Sequence, residues 1–234
     1  MKVKIIFDKD RMDDRFETGW GISYLIGNTL FDTGEKFEYL INNMKILNID
    51  IKTIENIVIS HNHWDHRRGL WQLLETKTDI KVYSCRDLIE EFKDKINKYN
   101  FIEVKDFQEI DKGIYSSGCL RAVYKGIDLF EQVLIVKTDK GISIICACAH
   151  LGVLKIIQKV KECFPGEKLY CIFGGFHLMD TDMRMIKYTV DEIKKIGVEK
   201  IGSAHCTGYE ATEIFKESYK DNFLDIKAGK EFEI

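Results

Sequence analysis

The chain has 234 residues, of which 45% are hydrophobic and 31% are charged, a balance typical of a folded globular protein. Its formal net charge is −3 and its lysines are intermixed with acidic residues, so charge does not favour a nucleic-acid partner. Seven cysteines at irregular spacing do not resemble a disulfide framework, and no segment has the pattern of a signal peptide or a membrane span. We therefore expect one domain over residues 1–234, located in the cytoplasm.

The first half of the chain predicts strands that come to alternate with helices. Apolar runs predict strands at 2–8, 21–26 and 29–31, the last two joined by a Gly27-Asn28 turn typical of hairpins. Hydrophobic residues at helical spacing then predict a helix over 37–47. The following pattern predicts strands and helices in alternation, at 54–59, 70–74, 80–83 and 88–92. Residues 101–130 give only short strand-like pieces rich in aromatic residues, which predict either a substrate wall or core packing.

The second half repeats the order strand, histidine, helix three times. A strand predicted at 142–149 runs into His150, a strand at 169–173 leads to His177, and a strand at 200–204 leads to His205. Helical stripes follow at 151–160 and 183–193, and the capping-box spacing of Thr207 and Glu210 predicts that a third helix starts at Thr207. This alternation predicts an α/β sheet protein, in which ligands gather beyond the carboxyl ends of the strands.

The six histidines all fall at or just after predicted strand ends, and the segment Ser60-His61-Asn62-His63-Trp64-Asp65-His66 is the densest group. His61 and His63 point the same way on an extended segment and can hold one cation. Asp65 and His66 follow as the chain turns into a helix and can face a second cation. Imidazole and carboxylate ligands suit zinc, iron or manganese, and their spread along the chain favours an open catalytic site over a closed structural one.

The cysteines suggest little chemistry of their own. Cys146, Cys148 and Cys171 lie in apolar runs, which predicts burial as small hydrophobic side chains and disfavours a thiolate metal site. Cys119 and Cys206 remain candidates for reactive thiols.

Several motifs resemble those of one known family. The pattern His61-x-His63-x-Asp65-His66 resembles the signature motif of the metallo-β-lactamase superfamily. Other segments resemble its remaining motifs, namely Phe31-Asp32-Thr33-Gly34, Cys148-Ala149-His150 and His205-Cys206-Thr207-Gly208. The segment Gly174-Gly175-Phe176-His177-Leu178 resembles the dihydropterin-ribofuranosylaminobenzene-phosphate synthase-like branch. The resemblance implies an α/β fold, a four-layer αββα sandwich of two mixed sheets flanked by helices.

The resemblance also implies roles for individual residues. His61, His63 and His150 would hold a first metal ion, and Asp65, His66 and His205 a second. Asp32 would orient ligands from beneath the site, or serve only as a turn residue. The expected cofactors are two divalent metal ions, zinc first, with iron or manganese as alternatives. Many relatives have an aspartate that bridges both metals, whereas this chain offers Phe176-His177 at that place.

Three residues near these motifs have open roles. His177 is expected to contact the substrate and assist its leaving group, with metal ligation or core packing as the alternatives. Arg67 and Arg68 stand where many relatives have small residues, and either bind an anionic substrate or are solvated helix residues.

The combined prediction is a metal-dependent hydrolase that uses a metal-activated hydroxide on an ester or phosphoester centre of a small, optionally anionic molecule. Asp65 would orient the hydroxide or accept its proton. The alternatives are a nuclease of the same superfamily and a non-catalytic di-metal redox or sensor protein. No nucleic-acid or membrane partner is expected, and the sequence leaves the substrate and the oligomeric state open.

Overall fold

A computed structural model describes residues 1–234 and contains fifteen strands and eight α-helices. The strands are Lys2–Phe7 (β1), Ser23–Ile26 (β2), Thr29–Phe31 (β3), Asn56–Val58 (β4), Lys81–Ser84 (β5), Asn100–Glu103 (β6), Gln108–Asp111 (β7), Ile114–Ser116 (β8), Leu120–Tyr124 (β9), Ile127–Glu131 (β10), Leu134–Thr138 (β11), Gly141–Cys146 (β12), Leu169–Gly175 (β13), Lys200–Ala204 (β14) and Glu231–Glu233 (β15). The helices are Phe37–Ile46 (α1), Trp64–Arg67 (α2), Leu70–Thr76 (α3), Arg86–Glu91 (α4), Lys93–Ile96 (α5), Val153–Cys163 (α6), Met183–Ile196 (α7) and Tyr209–Tyr219 (α8).

Two mixed sheets form the centre of the molecule. The first has the order β15-β1-β2-β3-β4-β5-β6, antiparallel from β15 to β3 and parallel from β3 to β6. The second has the order β14-β13-β12-β11-β8-β7, parallel from β14 to β12 and antiparallel beyond. Strands β9 and β10 form a separate two-stranded hairpin.

Three buried clusters separate four layers of structure. Between the sheets, Phe31 and Val58 of the first sheet belong to the same core as Ile145 and Phe173 of the second. The outer face of the first sheet packs against α1, α3 and α4, and the outer face of the second packs against α6, α7 and α8. Because the six helices that cover the sheets bury apolar residues and the central strands β12 and β13 are buried on both faces, the predicted αββα sandwich of two mixed sheets is confirmed.

A glycine pair at the end of β13 lets the loops after β12 and β14 approach closely. A Cβ at Gly174 would lie 1.9 Å from the carbonyl oxygen of Cys146, and one at Gly175 would lie 2.1 Å from that of Ala147 and 2.8 Å from Cys206 Sγ. Only residues without a side chain fit here, because real Cβ atoms do not approach backbone oxygens this closely. The pair therefore brings together the segments that carry His150, His177 and His205.

Two sequence predictions differ from the structure. Strand β12 ends at Cys146 rather than at residue 149, and residues 147–150 form a loop in which Ala149 has a left-handed φ of 56°. Helix α8 begins at Tyr209, and no side chain caps it. The Thr207–Glu210 capping box was wrong because the Thr207 hydroxyl accepts a hydrogen bond from the Phe176 N–H at 3.0 Å instead.

None of the helices combines the length and the apolar character needed to cross a bilayer.

The close approach at Gly174 predicts a large stability effect. Gly174→Ala should lower the free energy of unfolding by more than about 3 kcal/mol. The added methyl group would clash with the Cys146 carbonyl oxygen, and residue 174 has a φ of 112°, which disfavours any side chain. Gly197→Ala, the matched control, also has a left-handed φ (89°) but open space around its Cβ, and should cost about 1–2 kcal/mol. Chemical denaturation of both variants measures the difference. Equal losses would show that the β12–β13 approach imposes no steric constraint.

Candidate metal centre

Loops at one edge of the two sheets bring the predicted site residues together. His61 follows β4, whereas His150, His177 and His205 follow β12, β13 and β14. The ring centroids of His61 and His150 lie 4.8 Å apart, those of His66 and His205 5.2 Å apart, and those of His150 and His177 4.6 Å apart. Side chains from four separate segments thus surround one small volume.

The backbone of this region adopts costly conformations. Seven non-glycine residues in the protein have a left-handed φ, and five of them lie in the site loops: Asp32, Lys125, Ala149, His177 and His205. Such conformations cost of order 1–3 kcal/mol each and persist only where the surroundings enforce them. Their concentration here is typical of a functional site.

The first donor group consists of His61, His63 and His150, whose nitrogens lie within 4.8 Å of one another. The His61 Nε2 to His63 Nδ1 distance is 3.0 Å. Burial, reinforced by the neighbouring histidines, holds the pKa of His61 well below its usual range, and burial also lowers the pKa of His63 to about 4. Both imidazoles are therefore neutral near pH 7, which is the form that binds a metal ion.

The second donor group consists of Asp65, His66 and His205. Asp65 Oδ2 lies 3.2 Å from His66 Nε2 and 3.4 Å from His205 Nε2. Burial opposes charge on both partners, but the attraction between them prevails: it holds the pKa of Asp65 well below its usual range, and Asp65 with Asp32 raises the pKa of His66 to about 10. A cation bound at this position would replace the proton on His66 Nε2.

Asp32 contacts residues of both donor groups. Its carboxylate accepts hydrogen bonds from the Ser60 N–H and the Ser60 hydroxyl, each at 2.7 Å, and lies 2.7 Å from His66 Nδ1. Ser60 Oγ is in turn 2.9 Å from His61 Nδ1. Asp32 therefore contacts His66 directly and His61 through Ser60, which is the arrangement that a ligand-orienting carboxylate requires.

Two buried carboxylates that the sequence analysis missed, Glu131 and Asp8, contact His150 and His205. Glu131 accepts hydrogen bonds from the His150 N–H at 3.0 Å and the Leu151 N–H at 2.6 Å, and its Oε2 lies 3.2 Å from His150 Nδ1. Asp8 lies beneath His205, and its carboxylate accepts a hydrogen bond from the backbone N–H of His205 at 3.4 Å. Burial raises the pKa of Asp8 to about 6, although His205 favours its ionised form. Neither residue belongs to a recognisable motif, so the sequence offered no signal for them.

The contacts of His205 differ from those of the other candidate ligands. The Gly21 N–H donates to His205 Nδ1 at 3.2 Å, and Nε2 is buried without a hydrogen-bond partner. Nδ1 therefore faces the backbone of Gly21, and Nε2 is the nitrogen that faces Asp65.

A cysteine pair lies beside the second donor group. Cys148 Sγ is 3.4 Å from His66 Nε2 and 3.4 Å from Cys206 Sγ, and both thiols are free. Cys148 is buried, as predicted, and its side chain also lines the site cavity. Cys146 and Cys171 do lie in the hydrophobic cores, as predicted. The apolar sequence around Cys148 does not indicate where β12 ends, which is two residues before Cys148.

A cavity of about 560 Å³ opens above the two donor groups. Its walls include Trp20, Tyr124, Lys125 and His177. Tyr124 and Lys125 come from the tip of the β9–β10 hairpin, and the Tyr124 ring lies 5.2 Å from His63 and 5.3 Å from His177. Residues 101–130 were predicted to form either a wall of the site or part of the core. The tip of this hairpin forms part of the cavity wall.

The two arginines after the first motif do not line the cavity. Arg67 forms an ion pair with Glu91 at 2.9 Å, and the Arg68 guanidinium lies over the Trp64 ring at 4.5 Å. Both side chains contact residues outside the cavity, Glu91 and Trp64. These contacts favour surface residues of the helix over residues that bind the substrate.

The donor set fits two divalent cations. Two ligand atoms at about 2.0–2.1 Å from a tetrahedral zinc are separated by roughly 3.3 Å, close to the 3.0–3.4 Å found within the two groups. The buried Nε2 of His205 and Nδ1 of His177 lack hydrogen-bond partners, as expected of atoms placed for a ligand. Nitrogen donors with one carboxylate suit zinc, iron or manganese better than magnesium or calcium.

Comparisons with known proteins agree with this geometry. The model of the metallo-beta-lactamase superfamily matches residues 22–129. The chain is 30% identical to 7,8-dihydropterin-6-methyl-4-(beta-D-ribofuranosyl)-aminobenzene-5'-phosphate synthase of Methanocaldococcus jannaschii, over 90% of this chain and 88% of that protein. The crystal structure of a metal-dependent hydrolase of the beta-lactamase superfamily has a TM-score of 0.83 and 25% identity, covering 100% of this chain and 99% of that one.

A metallo-beta-lactamase fold protein from Bacillus subtilis, with a TM-score of 0.70 and 12% identity over 99% of this chain and 98% of that one, shares the fold. The chain therefore belongs to the metallo-β-lactamase superfamily.

The contacts of Glu131 predict that it tunes metal affinity. Glu131→Gln removes the charge that orients His150 and should weaken zinc binding about 10- to 100-fold. Glu162→Gln on the exposed face of α6 is the matched control and should leave zinc affinity unchanged. Competition with a chromogenic chelator measures both. Unaltered affinity in a folded Glu131→Gln protein would exclude this supporting role.

Proposed function

We propose that this protein is a metal-dependent hydrolase that acts on an ester or phosphoester centre of a small anionic molecule. The observation that carries the proposal is the meeting of two donor groups, His61/His63/His150 and Asp65/His66/His205, at the floor of a cavity. When bound, two divalent cations lower the pKa of water so that it can act as a nucleophile near neutral pH. Zinc is the proposed metal, with iron and manganese as the alternatives.

The side chains of the cavity have complementary tasks in this proposal. Asp65 reaches both the second donor group and the cavity, so it can orient the attacking water and accept its proton. His177 lines the same cavity beside His150 and would donate a proton to the leaving group. Lys125 at the rim supplies a positive charge for an anionic group of the substrate.

Size and charge support a small molecule over a nucleic acid. A cavity of about 560 Å³ is in the range of small-molecule sites. The formal charge of −3 lacks the excess of basic residues that binding a polyanionic chain requires. The seven free cysteines fit the reducing cytoplasm, which is the proposed location.

The relative from Methanocaldococcus jannaschii supports a second candidate. Its name describes a synthase whose product carries a 5'-phosphate, and it is 30% identical along 90% of this chain. A synthase reaction on a phosphorylated substrate would use the same cavity and the same Lys125. A panel of phosphomonoester, phosphodiester, lactone, thioester and β-lactam substrates, each with zinc, manganese or iron, separates the two. Hydrolysis of none of them would favour the synthase, or a non-catalytic di-metal protein.

The proposed roles of His63 and His177 predict opposite defects. His63→Ala removes a ligand of the first cation and should cost at least half of the bound metal. His177→Ala should keep the metal and lower turnover about 100-fold or more, since it removes only a proton donor. Elemental analysis and steady-state kinetics on the same preparations test both. Full metal retention by His63→Ala, or metal loss by His177→Ala, would overturn the respective role.

The position of Lys125 predicts an effect on substrate binding. Lys125→Met should raise KM for a phosphorylated substrate about five- to tenfold and change kcat little, because an exposed charge aids binding more than chemistry. Added salt should shrink the difference, since exposed charges are screened. Lys112→Met, in the corresponding Lys-Gly turn of the β7–β8 hairpin, is the control and should match the wild type. An unchanged KM in Lys125→Met would remove Lys125 from the substrate site.

A further inference from the structure

We propose that Cys148 supplies a thiolate ligand shared by both cations, in the space between the two donor groups. The proposal rests on the two-cation site proposed above and adds a residue to it. Cys148 Sγ forms a donor group with His61 and His66, with all donor atoms within 4.8 Å of one another. Because His61 belongs to the first group and His66 to the second, the sulfur lies between the two cation positions.

The distance from the sulfur to His66 fits a shared metal. A zinc ion with bonds of about 2.3 Å to sulfur and 2.0–2.1 Å to nitrogen separates the two ligand atoms by roughly 3.5 Å. The distance from Cys148 Sγ to His66 Nε2 is 3.4 Å.

The residues at the usual place of a bridging aspartate do not fill this space. The Phe176 side chain is buried in the core with Phe215, at a centroid distance of 5.4 Å. His177 is grouped with Cys148 and Cys206, and its ring lies next to His150. Of these residues, Cys148 is the one grouped with both His61 and His66, and its sulfur is a donor that can bridge.

Cys148 is almost fully buried, and burial raises the pKa of its thiol well above the usual range. The Cys206 thiol donates to the Cys148 sulfur at 3.4 Å, the kind of hydrogen bond that supports a metal ligand. Gly175 has no Cβ, so Cys206 Sγ can approach from β14. A cation displaces the thiol proton to solvent on binding, which removes the cost of an unpaired buried charge. A thiolate at this position also favours zinc or iron over manganese.

Cobalt(II) reports directly on a sulfur ligand, because thiolate coordination gives a charge-transfer band in the near ultraviolet. The full-length protein would be loaded with cobalt(II) under reducing conditions as wild type and as Cys148→Ser, Cys206→Ser and Cys163→Ser variants. Cys206→Ser is the matched control for the neighbouring thiol, and exposed Cys163 controls for surface binding. The band is expected in all proteins except Cys148→Ser, which should also bind the metals at least tenfold more weakly.

A persistent band in Cys148→Ser, or a band lost in Cys206→Ser but not in Cys148→Ser, would overturn the proposal. If Cys148→Ser fails to fold, zinc-edge X-ray absorption of the wild type decides: a sulfur at about 2.3 Å is expected, and a shell of nitrogen and oxygen alone refutes the thiolate. Wild type that binds two cobalt ions without the band would leave the hydrolase proposal intact and end this one. Wild type that binds no metal would defeat the hydrolase proposal itself.

Discussion

The buried carboxylate of Asp32 sets the distance between the two donor groups. It has no exposed surface, and both of its oxygens have hydrogen-bonding partners, Ser60 and His66. Leaving such a charge unpaired in the interior would cost several kcal/mol, so the segments that provide its partners cannot separate without a large penalty. Through Ser60 it also holds His61, and one carboxylate thereby fixes a ligand from each group.

This constraint explains why the strained loops keep their shape. Asp32 has a φ of 58°, yet its N–H donates to the Val58 carbonyl at 2.9 Å and its carbonyl accepts from the Ser23 hydroxyl at 2.8 Å. The backbone cost is therefore offset by bonds to two neighbouring strands. At the other sheet, Gly174 and Gly175 remove the side chains that would hold the loops of β12 and β14 apart. The fold thus concentrates its strain where cations can bind.

How much of this could be predicted from the sequence depends on the distance between partners along the chain. Periodicity predicted an α/β sheet protein, whereas the four layers were implied by the family resemblance. The spacing of His61, His63 and His66 predicted donors that do lie together, because local geometry determines their placement. Glu131 contacts a histidine 19 residues away and is the last residue of strand β10, so nothing local distinguishes it. Cys148 lies in an apolar run and becomes a site residue only because β12 ends early.

The balance of charge links these elements. Three buried carboxylates, Asp32, Asp65 and Glu131, contact the imidazoles of the two donor groups. Asp8 beneath His205 is a fourth buried carboxylate beside these groups. Two divalent cations at the proposed site would bring four positive charges, which four carboxylates can balance in a site where water screens poorly. The carboxylates lie around His66, His150 and His205, so the negative charge that the proposed cations need is held beneath and beside the imidazoles.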